Sequence, residues 1–362
     1  MSFWNKEIIK SEEVFFGLDM GDNSLKVVQL EKKGKFDAIR SFNSLRINAN
    51  YIKEDQIVNK EKLVQVIKEV IIKSEPKKIN TRKVICSLPE SKVFLRLIDI
   101  PIMGKENIAE AIKWELEANI PLPIEKVYYD YQLLGAKENK QQILTVAVSK
   151  EIVDEMMEVL EMSGLSVFGL EMESVAVARS MVPEKVESQS TFFVVDIGED
   201  KTSFVITEGN IPVFTSSIPF SSFGITEAIA KAFNIGDEEA EKIKINQGIE
   251  HSFEKNSVFI SVKPFLENLS VEIGKTVDFY QDMVKNSGKI EKIIITGGGS
   301  NLRGLNSYLT TSLSKEVFLG DSWINLNFGK TLPIITKEKS ASFATAIGLA
   351  MRKNKALDHQ IN

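Results

Sequence analysis

The sequence predicts an α/β chain built from two related domains that face one another. Three observations carry this. Residues 15–31, FFGLDMGDNSLKVVQLE, return at an offset of 177 as residues 192–208, FFVVDIGEDKTSFVITE, with six of the seventeen aligned positions identical. An apolar run at Ile293, Ile294 and Ile295 leads into Gly297, Gly298 and Gly299. Around these pieces, helical and strand-like patterns alternate in the manner of added subdomains.

Each copy of the repeat reads as an apolar strand, then Asp-x-Gly, then a tight turn, then a second strand. The shared residues are Phe15/Phe192, Phe16/Phe193, Asp19/Asp196, Gly21/Gly198, Val28/Val205 and Glu31/Glu208. Two ordinary hairpins would also use Asp and Gly, which are common turn formers. The same motif after the same apolar run, once in each half, points instead to a duplicated unit. A strand ending at an aspartate sets a carboxylate at the sheet edge. A magnesium ion on nucleotide phosphates takes few protein ligands and keeps several waters. Asp19 and Asp196 are therefore the candidates to hold Mg2+, directly or through its waters. Gly21 and Gly198 let the backbone approach a phosphate, and the turn after each aims N–H groups, including that of Asn23, at an anion. Ser24 and Thr202 are candidate hydroxyl donors. Lys26 is a candidate point charge for the phosphates, with a solvated lysine on the hairpin as the other reading.

The strand at Ile293 to Ile295 reads as buried and parallel. Gly297, Gly298 and Gly299 then permit close approach of a flat or anionic ligand before a helix expected from Leu302. The spacing matches neither the Rossmann nor the P-loop pattern.

The other elements follow from periodicity. Leu63, Val66, Ile67 and Val70 predict one helix. Ile108, Ile112, Leu116 and Ile120 predict a second, stopped by Pro121 and Pro123. Ile152, Met156, Val159 and Leu160 predict a third, with Gly164 at its C-terminal cap. Strands are expected at 93–98, 128–134 and 143–148. A long helix is expected over Leu266, Leu269, Ile273, Val277, Tyr280 and Val284. Two helices rich in small residues, around Ala176 and Ala178 and over residues 341–351, suit either a hinge or tight packing inside one domain.

Composition excludes several functions. The net charge of −5 disfavours a dedicated nucleic-acid binder. Cys86 is the only cysteine, so no disulfide can form within the chain, and its apolar neighbours make it a buried hydrophobe rather than a nucleophile. The only histidines, His251 and His359, stand in polar surroundings, which argues against a histidine metal site or a Ser-His-Asp triad. No apolar run is long enough to span a bilayer. Residues 1–10 lack the features of a signal peptide, and a cytoplasmic location is expected.

Taken in order, these pieces resemble the actin/hexokinase/heat-shock-chaperone ATPase superfamily. Asp19-x-Gly21 and Asp196-x-Gly198 resemble its two phosphate motifs, and residues 296–300 its adenosine motif. Glu173 and the helix after it resemble the first connecting helix, whose acidic residue is often catalytic, and residues 341–348 resemble the second. Ala240-Glu241-x-x-Lys244 resembles the helix whose Glu241 and Lys244 would face ribose and adenine. Residues 86–134 are more specific. Leu88-Pro89, Ile100-Pro101, the helix around Glu115, Ile120-Pro121-x-Pro123 and Asp130-Tyr131-Gln132 are similar to the insert of the PilM family of type IV pilus assembly.

That resemblance implies an actin-like (ribonuclease H-like) two-domain ATPase fold, with an α/β insert in the first domain and a helical subdomain in the second. The expected division is 12–85 with 164–190 as the first core, 86–163 as the insert, 191–222 with 288–351 as the second core, and 223–287 as the helical subdomain. It implies binding of ATP with Mg2+, with at most slow hydrolysis. It also implies docking of the cytoplasmic N-terminal peptide of a PilN-like single-pass membrane protein at the inner-membrane pilus platform, without membrane insertion or nucleic acid, and with self-association left open. The alternatives are an FtsA-like cell-division filament protein, which would end in an amphipathic membrane helix, and a small-metabolite kinase. The tail from Arg352 is polar, which favours the first reading.

Overall fold

The structure, a computed structural model, describes residues 14–137, 139–250, 256–283, 289–330 and 333–352. The first half runs β1 (Phe16–Met20), β2 (Ser24–Lys33), β3 (Phe36–Arg46), the short β4 (Ile52–Lys53) and β5 (Gln56–Ile57), α1 (Lys60–Ile72), β6 (Glu75–Pro76) and β7 (Lys83–Leu88). It continues through β8 (Val93–Pro101), α2 (Lys105–Asn119), β9 (Val127–Lys137), β10 (Lys140–Ser149), α3 (Lys150–Met162), β11 (Ser166–Met172) and α4 (Glu173–Met181). The second half comprises β12 (Thr191–Ile197), β13 (Thr202–Glu208), β14 (Ile211–Ile218), α5 (Ser222–Phe233), α6 (Asp237–Gln247), α7 (Ser257–Met283), β15 (Ile290–Thr296), α8 (Leu305–Leu313), β16 (Val317–Leu319), α9 (Lys337–Ala341) and α10 (Ala344–Ala350).

Two sheets repeat one topology. The first has the order β11-β7-β1-β2-β3-β6 and the second β14-β13-β12-β15-β16. In each, a central strand pairs antiparallel with its hairpin partner and parallel with a later strand. Even the register agrees: Asp19 lies opposite Lys26 and Asp196 opposite Ser203, both at the 177-residue offset. The sequence repeat is a repeat of fold.

Strand β1 shows how alternation builds the layers. Phe16 and Leu18 point to one face and join Leu63, Ile67 and Val70 of α1. Gly17 points to the other, where a Cβ would come within 2.4 Å of the Ala346 carbonyl oxygen on α10. A third, antiparallel sheet of order β8-β10-β9 carries α2 on one face through Ile108, Ile112 and Leu116. Its other face sends Leu95, Leu144 and Val148 to α3 and the first core.

Most predicted elements appear where expected, with four differences. The long helix starts earlier, at Ser257, because Val258 and Val262 continue its apolar stripe through Pro264. Its expected member Val284 lies outside the described residues, as do His251, His359, residues 1–10 and the tail beyond Arg352. The helix expected from Leu302 begins at Leu305, after a 3-10 turn at Gly298–Asn301 and a left-handed Gly304. Gly164 is not itself the cap of α3; Ser163 is, and Gly164 follows with φ +79°, its N–H donating to the Glu161 carbonyl. The helix expected over 341–351 is broken into α9 and α10. At the break, the Ser342 hydroxyl donates to the Lys339 carbonyl and Phe343 leaves helical geometry.

Helices α4 and α10 are exchanged between the halves. Val177, Ala178 and Met181 of α4 pack on Phe192, Val194, Val205 and Ile294 of the second sheet. From α10, Ile347 packs with Val28 and Leu349 with Ile85 of the first. The helices cross at Gly348, where an added Cβ would lie 1.8 Å from the Ala176 carbonyl oxygen. Arg179 also donates to the Gly348 carbonyl at 2.8 Å. Alanine raises helix propensity by up to ~1 kcal/mol. A backbone clash of this kind costs about 1–3 kcal/mol. Gly348→Ala should therefore destabilise the protein in chemical denaturation. Equal or greater stability would mean that the crossing opens freely.

Candidate functional site

The two Asp-x-Gly turns have the same internal bonding. The Gly21 N–H donates to the Ser24 carbonyl at 3.1 Å, and the Gly198 N–H donates to the Lys201 carbonyl at 2.9 Å. A Cβ on Gly198 would come within 2.7 Å of that Lys201 oxygen, so the turn requires glycine. Gly297, at φ +83°, folds against the second aspartate. A Cβ there would come within 2.3 Å of Asp196 Oδ1 and 2.4 Å of the Ile197 carbonyl oxygen.

Between the halves lies a cleft that collects most of the sequence-predicted residues. Asp19, Gly21, Asn23, Ser24, Lys26, Glu173, Asp196, Gly198, Gly297 and Gly298 all line it. Ala341, Ser342, Ala344 and Thr345, at the junction of α9 and α10, form another wall. Lys26 donates to Asp19 Oδ2 at 3.3 Å across the first hairpin.

Four expected residues lie off this wall. The Thr202 side chain is buried, and its hydroxyl donates to the Phe220 carbonyl at 2.8 Å. Gly299 packs beneath the wall, where a Cβ would meet Ile197 Cγ2 at 2.3 Å. Glu241 and Lys244 sit on α6 facing α5. Lys244 Nζ lies 2.7 Å from Glu241 Oε2 and donates to Thr226 Oγ1 at 2.7 Å and the Ser222 carbonyl at 3.0 Å. An ammonium with three donors is fully occupied by that set.

The structure also adds residues that motif reading missed: Asp55, Glu199, Asp200, Lys201 and Ser203, with Asp22 now placed in the wall. Asp55 stands on the β4–β5 turn with φ +62°, and its N–H donates to Asp22 Oδ1 at 3.2 Å. Lys201 Nζ donates to both Asp55 oxygens, at 2.8 and 2.9 Å, and lies 3.5 Å from Glu173 Oε2. Two more links cross the cleft, from Asn23 to Asp200 and from Arg46 to Glu199. One signal for Lys201 was available: it is the single cation in the second turn, at the place of Ser24 in the first.

Among the described residues, seven carboxylates and two ammonium groups line the cleft. Burial pushes the Glu173 carboxyl up to about 8, with Asp19, Asp55 and Glu90 adding to the rise and Lys201 opposing it. Burial and then the Asp19 charge lift Asp196 to about 7, against Lys26 and Lys201. Asp200 rises to about 6 through burial, Glu199 and Asp22. Burial would lower Lys201, but Glu173, Asp55 and Asp22 outweigh it and hold the ammonium charged. Behind Glu173, Glu90 is 5% exposed with Oε2 unpaired, and burial raises its carboxyl too. The Cys86 thiol is likewise pushed far up by burial, as suits an inert core position.

These shifts have a sign. From 4.5, its ordinary value, to about 8, folded Glu173 keeps a proton that the unfolded chain releases. Stability is therefore full at the acid end of that window and lost as pH rises through it. The nucleotide-free protein should show a Tm that falls from about pH 5 to about pH 8. Glu173→Gln should flatten part of that fall, raising Tm at the alkaline end by a few degrees and leaving the acid end nearly unchanged. An identical slope in the variant would show that Glu173 is ionised throughout.

Among the described residues, no helix is long and apolar enough to cross a membrane. Comparison with known proteins matches this architecture to particular relatives. A chain of the PilM-PilN type IV pilus biogenesis complex is 29% identical, with TM-score 0.78 over 94% of this chain and 99% of that one. More distant likenesses show the actin-like fold alone. The ethanolamine utilization protein EutJ of Carboxydothermus hydrogenoformans is 17% identical, with TM-score 0.55 over 94% of this chain and 90% of that chain. MreB5 of Spiroplasma citri, crystallised with AMPPNP, is 12% identical, with TM-score 0.52 over 93% and 95%. Cell division protein FtsA of Staphylococcus epidermidis is 27% identical over 206 residues, 51% of this chain and 43% of FtsA. The chain thus spans less than half the length of that curated relative. The family model described as type IV pilus assembly protein PilM matches residues 17–354, nearly the whole sequence. The chain belongs to the PilM family of type IV pilus assembly proteins.

Proposed function

We propose that this chain is a cytoplasmic, ATP-binding scaffold of the type IV pilus inner-membrane platform, and that it docks the N-terminal cytoplasmic peptide of a PilN-like membrane protein. The observation that carries this reading is the near full-length likeness, at TM-score 0.78, to a chain of the PilM-PilN complex. In this reading the chain divides into four parts: 12–85 with 164–190, the insert 86–163, 191–222 with 288–351, and the helical 223–287.

The nucleotide half of the proposal rests on the cleft. Two equivalent turns face it, glycines keep its floor clear, and Lys26 offers an ammonium. Its excess of carboxylates fits a site completed by a divalent cation. Asp19 and Asp196 would hold Mg2+, directly or through waters; when bound, the ion would offset their charge and that of the phosphates. Glu173 stands where it could orient a water. With its carboxyl pushed up to about 8, it carries its proton at neutral pH, and a protonated carboxyl is a poor general base. Slow turnover follows from that, which suits a scaffold better than a metabolite kinase.

The peptide half rests on the insert. Ile120 and Ile124 are buried under α2, Leu122 packs against the same cluster while staying partly open, and Ile102 and Trp114 are exposed on the same subdomain. The prolines at 121 and 123 fix an extended path there. We place the groove along this segment.

Two measurements test the proposal. In calorimetry, Asp19→Ala and Asp196→Ala should each weaken Mg2+-dependent ATP binding by ~1.5–3 kcal/mol, the worth of a charged hydrogen bond. Unchanged affinity in both would remove the clamp. A synthetic PilN-like N-terminal peptide should bind the wild type, and Leu122→Asp, checked for an unchanged melting curve, should bind it at least about tenfold more weakly. Absence of any peptide binding by the wild type would overturn the scaffold reading.

A further inference from the structure

We infer that Lys201 is a phosphate-contacting residue held in reserve: Asp55 pairs with its ammonium, and an entering nucleotide triphosphate competes for that ammonium and takes it over. This rests on the nucleotide reading above, and it assigns a residue and an order of events that the reading does not contain.

The two halves supply their cations differently. In the first, Lys26 sits on β2 opposite Asp19 and is bonded to it. In the second, the equivalent place opposite Asp196 is held by Ser203, which brings no charge. The second half's ammonium stands instead within the turn, at Lys201, whose own carbonyl accepts the Gly198 N–H. That turn is one of the two built to face an anion, so the Lys201 side chain starts beside the phosphate position.

The partner of its ammonium is a carboxylate from the other half. Both Asp55 oxygens accept from Nζ, and Glu173 lies next to it. An anion that enters must compete with Asp55 for this ammonium. The exchange leaves few groups stranded. Asp55 keeps the hydroxyl of Ser91 as a donor, and its turn keeps the N–H bond to Asp22. The links from Asn23 to Asp200 and from Arg46 to Glu199 run between the same two regions, so the Lys201–Asp55 pair is one part of a clasp across the cleft mouth. A tethered pair of this kind taxes the apparent affinity of whatever must break it.

The test is a double-mutant cycle on the full chain, read as MgATP dissociation constants with adenosine as the phosphate-free control. Asp55→Asn should tighten MgATP binding, because the competitor is gone. Lys201→Met should weaken it by at least about tenfold, the loss of one charge-assisted hydrogen bond. Adenosine binding should be unchanged in both. The deciding member is the double variant Lys201→Met/Asp55→Asn, which restores the charge balance of the wild type and leaves no unpaired buried charge at this pair. If Lys201 touches phosphate, the double variant stays as weak as Lys201→Met alone. If Lys201 only neutralises Asp55, the double variant returns to wild-type affinity and the inference is overturned. Wild-type protein that binds no MgATP at all would instead remove the nucleotide reading, and this inference with it.

Discussion

The backbones of α4 and α10 touch where Gly348 faces Ala176, with no space for a side chain between them. Each helix lies on the sheet of the opposite half, so this crossing ties two similar domains at one point. It also sets the cleft. The first residue of α4 is Glu173, and the first turn of α10 supplies Ala344 and Thr345 to the wall. The two crossing helices therefore carry both the candidate acid and part of the cleft wall.

Around that crossing the charges of the cleft lining are unbalanced. Buried carboxylates lose hydration and repel each other, which pushes Glu173 up to about 8 and Asp196 up to about 7. The two ammonium groups are each committed to a carboxylate, Lys26 to Asp19 and Lys201 to Asp55. The cleft thus satisfies itself with internal pairs, one within the first half and one across the two halves. A ligand that takes over Lys201, as inferred above, has to break the pair that crosses the halves, which would link occupancy to their relative position.

The parts of this arrangement that were legible in the sequence are the local ones. Asp-x-Gly after an apolar run marks a strand end and a turn, and the repeat at 177 marked both turns at once. Apolar spacing found α1, α2, α3 and α7, and small residues marked α4 and α10, although not the break at Ser342, where a hydroxyl turns back to a nearby carbonyl. Thr202 looked like a loop donor and is instead buried against Phe220. Glu241 and Lys244 matched a helix motif, yet their charges are spent on each other and on α5. Asp55 was invisible because it sits on the turn between two two-residue strands, and its partner is 146 residues away. Contacts of that kind leave no periodicity and no short motif. They follow only from the tertiary placement of the two halves.

The duplicated turns have one more consequence. A cleft lined by two identical copies of the same turn would offer a ligand two equivalent orientations, head first or tail first, at equal energy. Here the copies have diverged in two positions that matter: serine against lysine at 24 and 201, and lysine against serine at 26 and 203. One copy keeps its charge on the strand and the other keeps it on the turn. An asymmetric molecule therefore meets two distinguishable ends, and the degeneracy inherited from the repeat is broken by side-chain chemistry alone, with the backbone of both copies left the same.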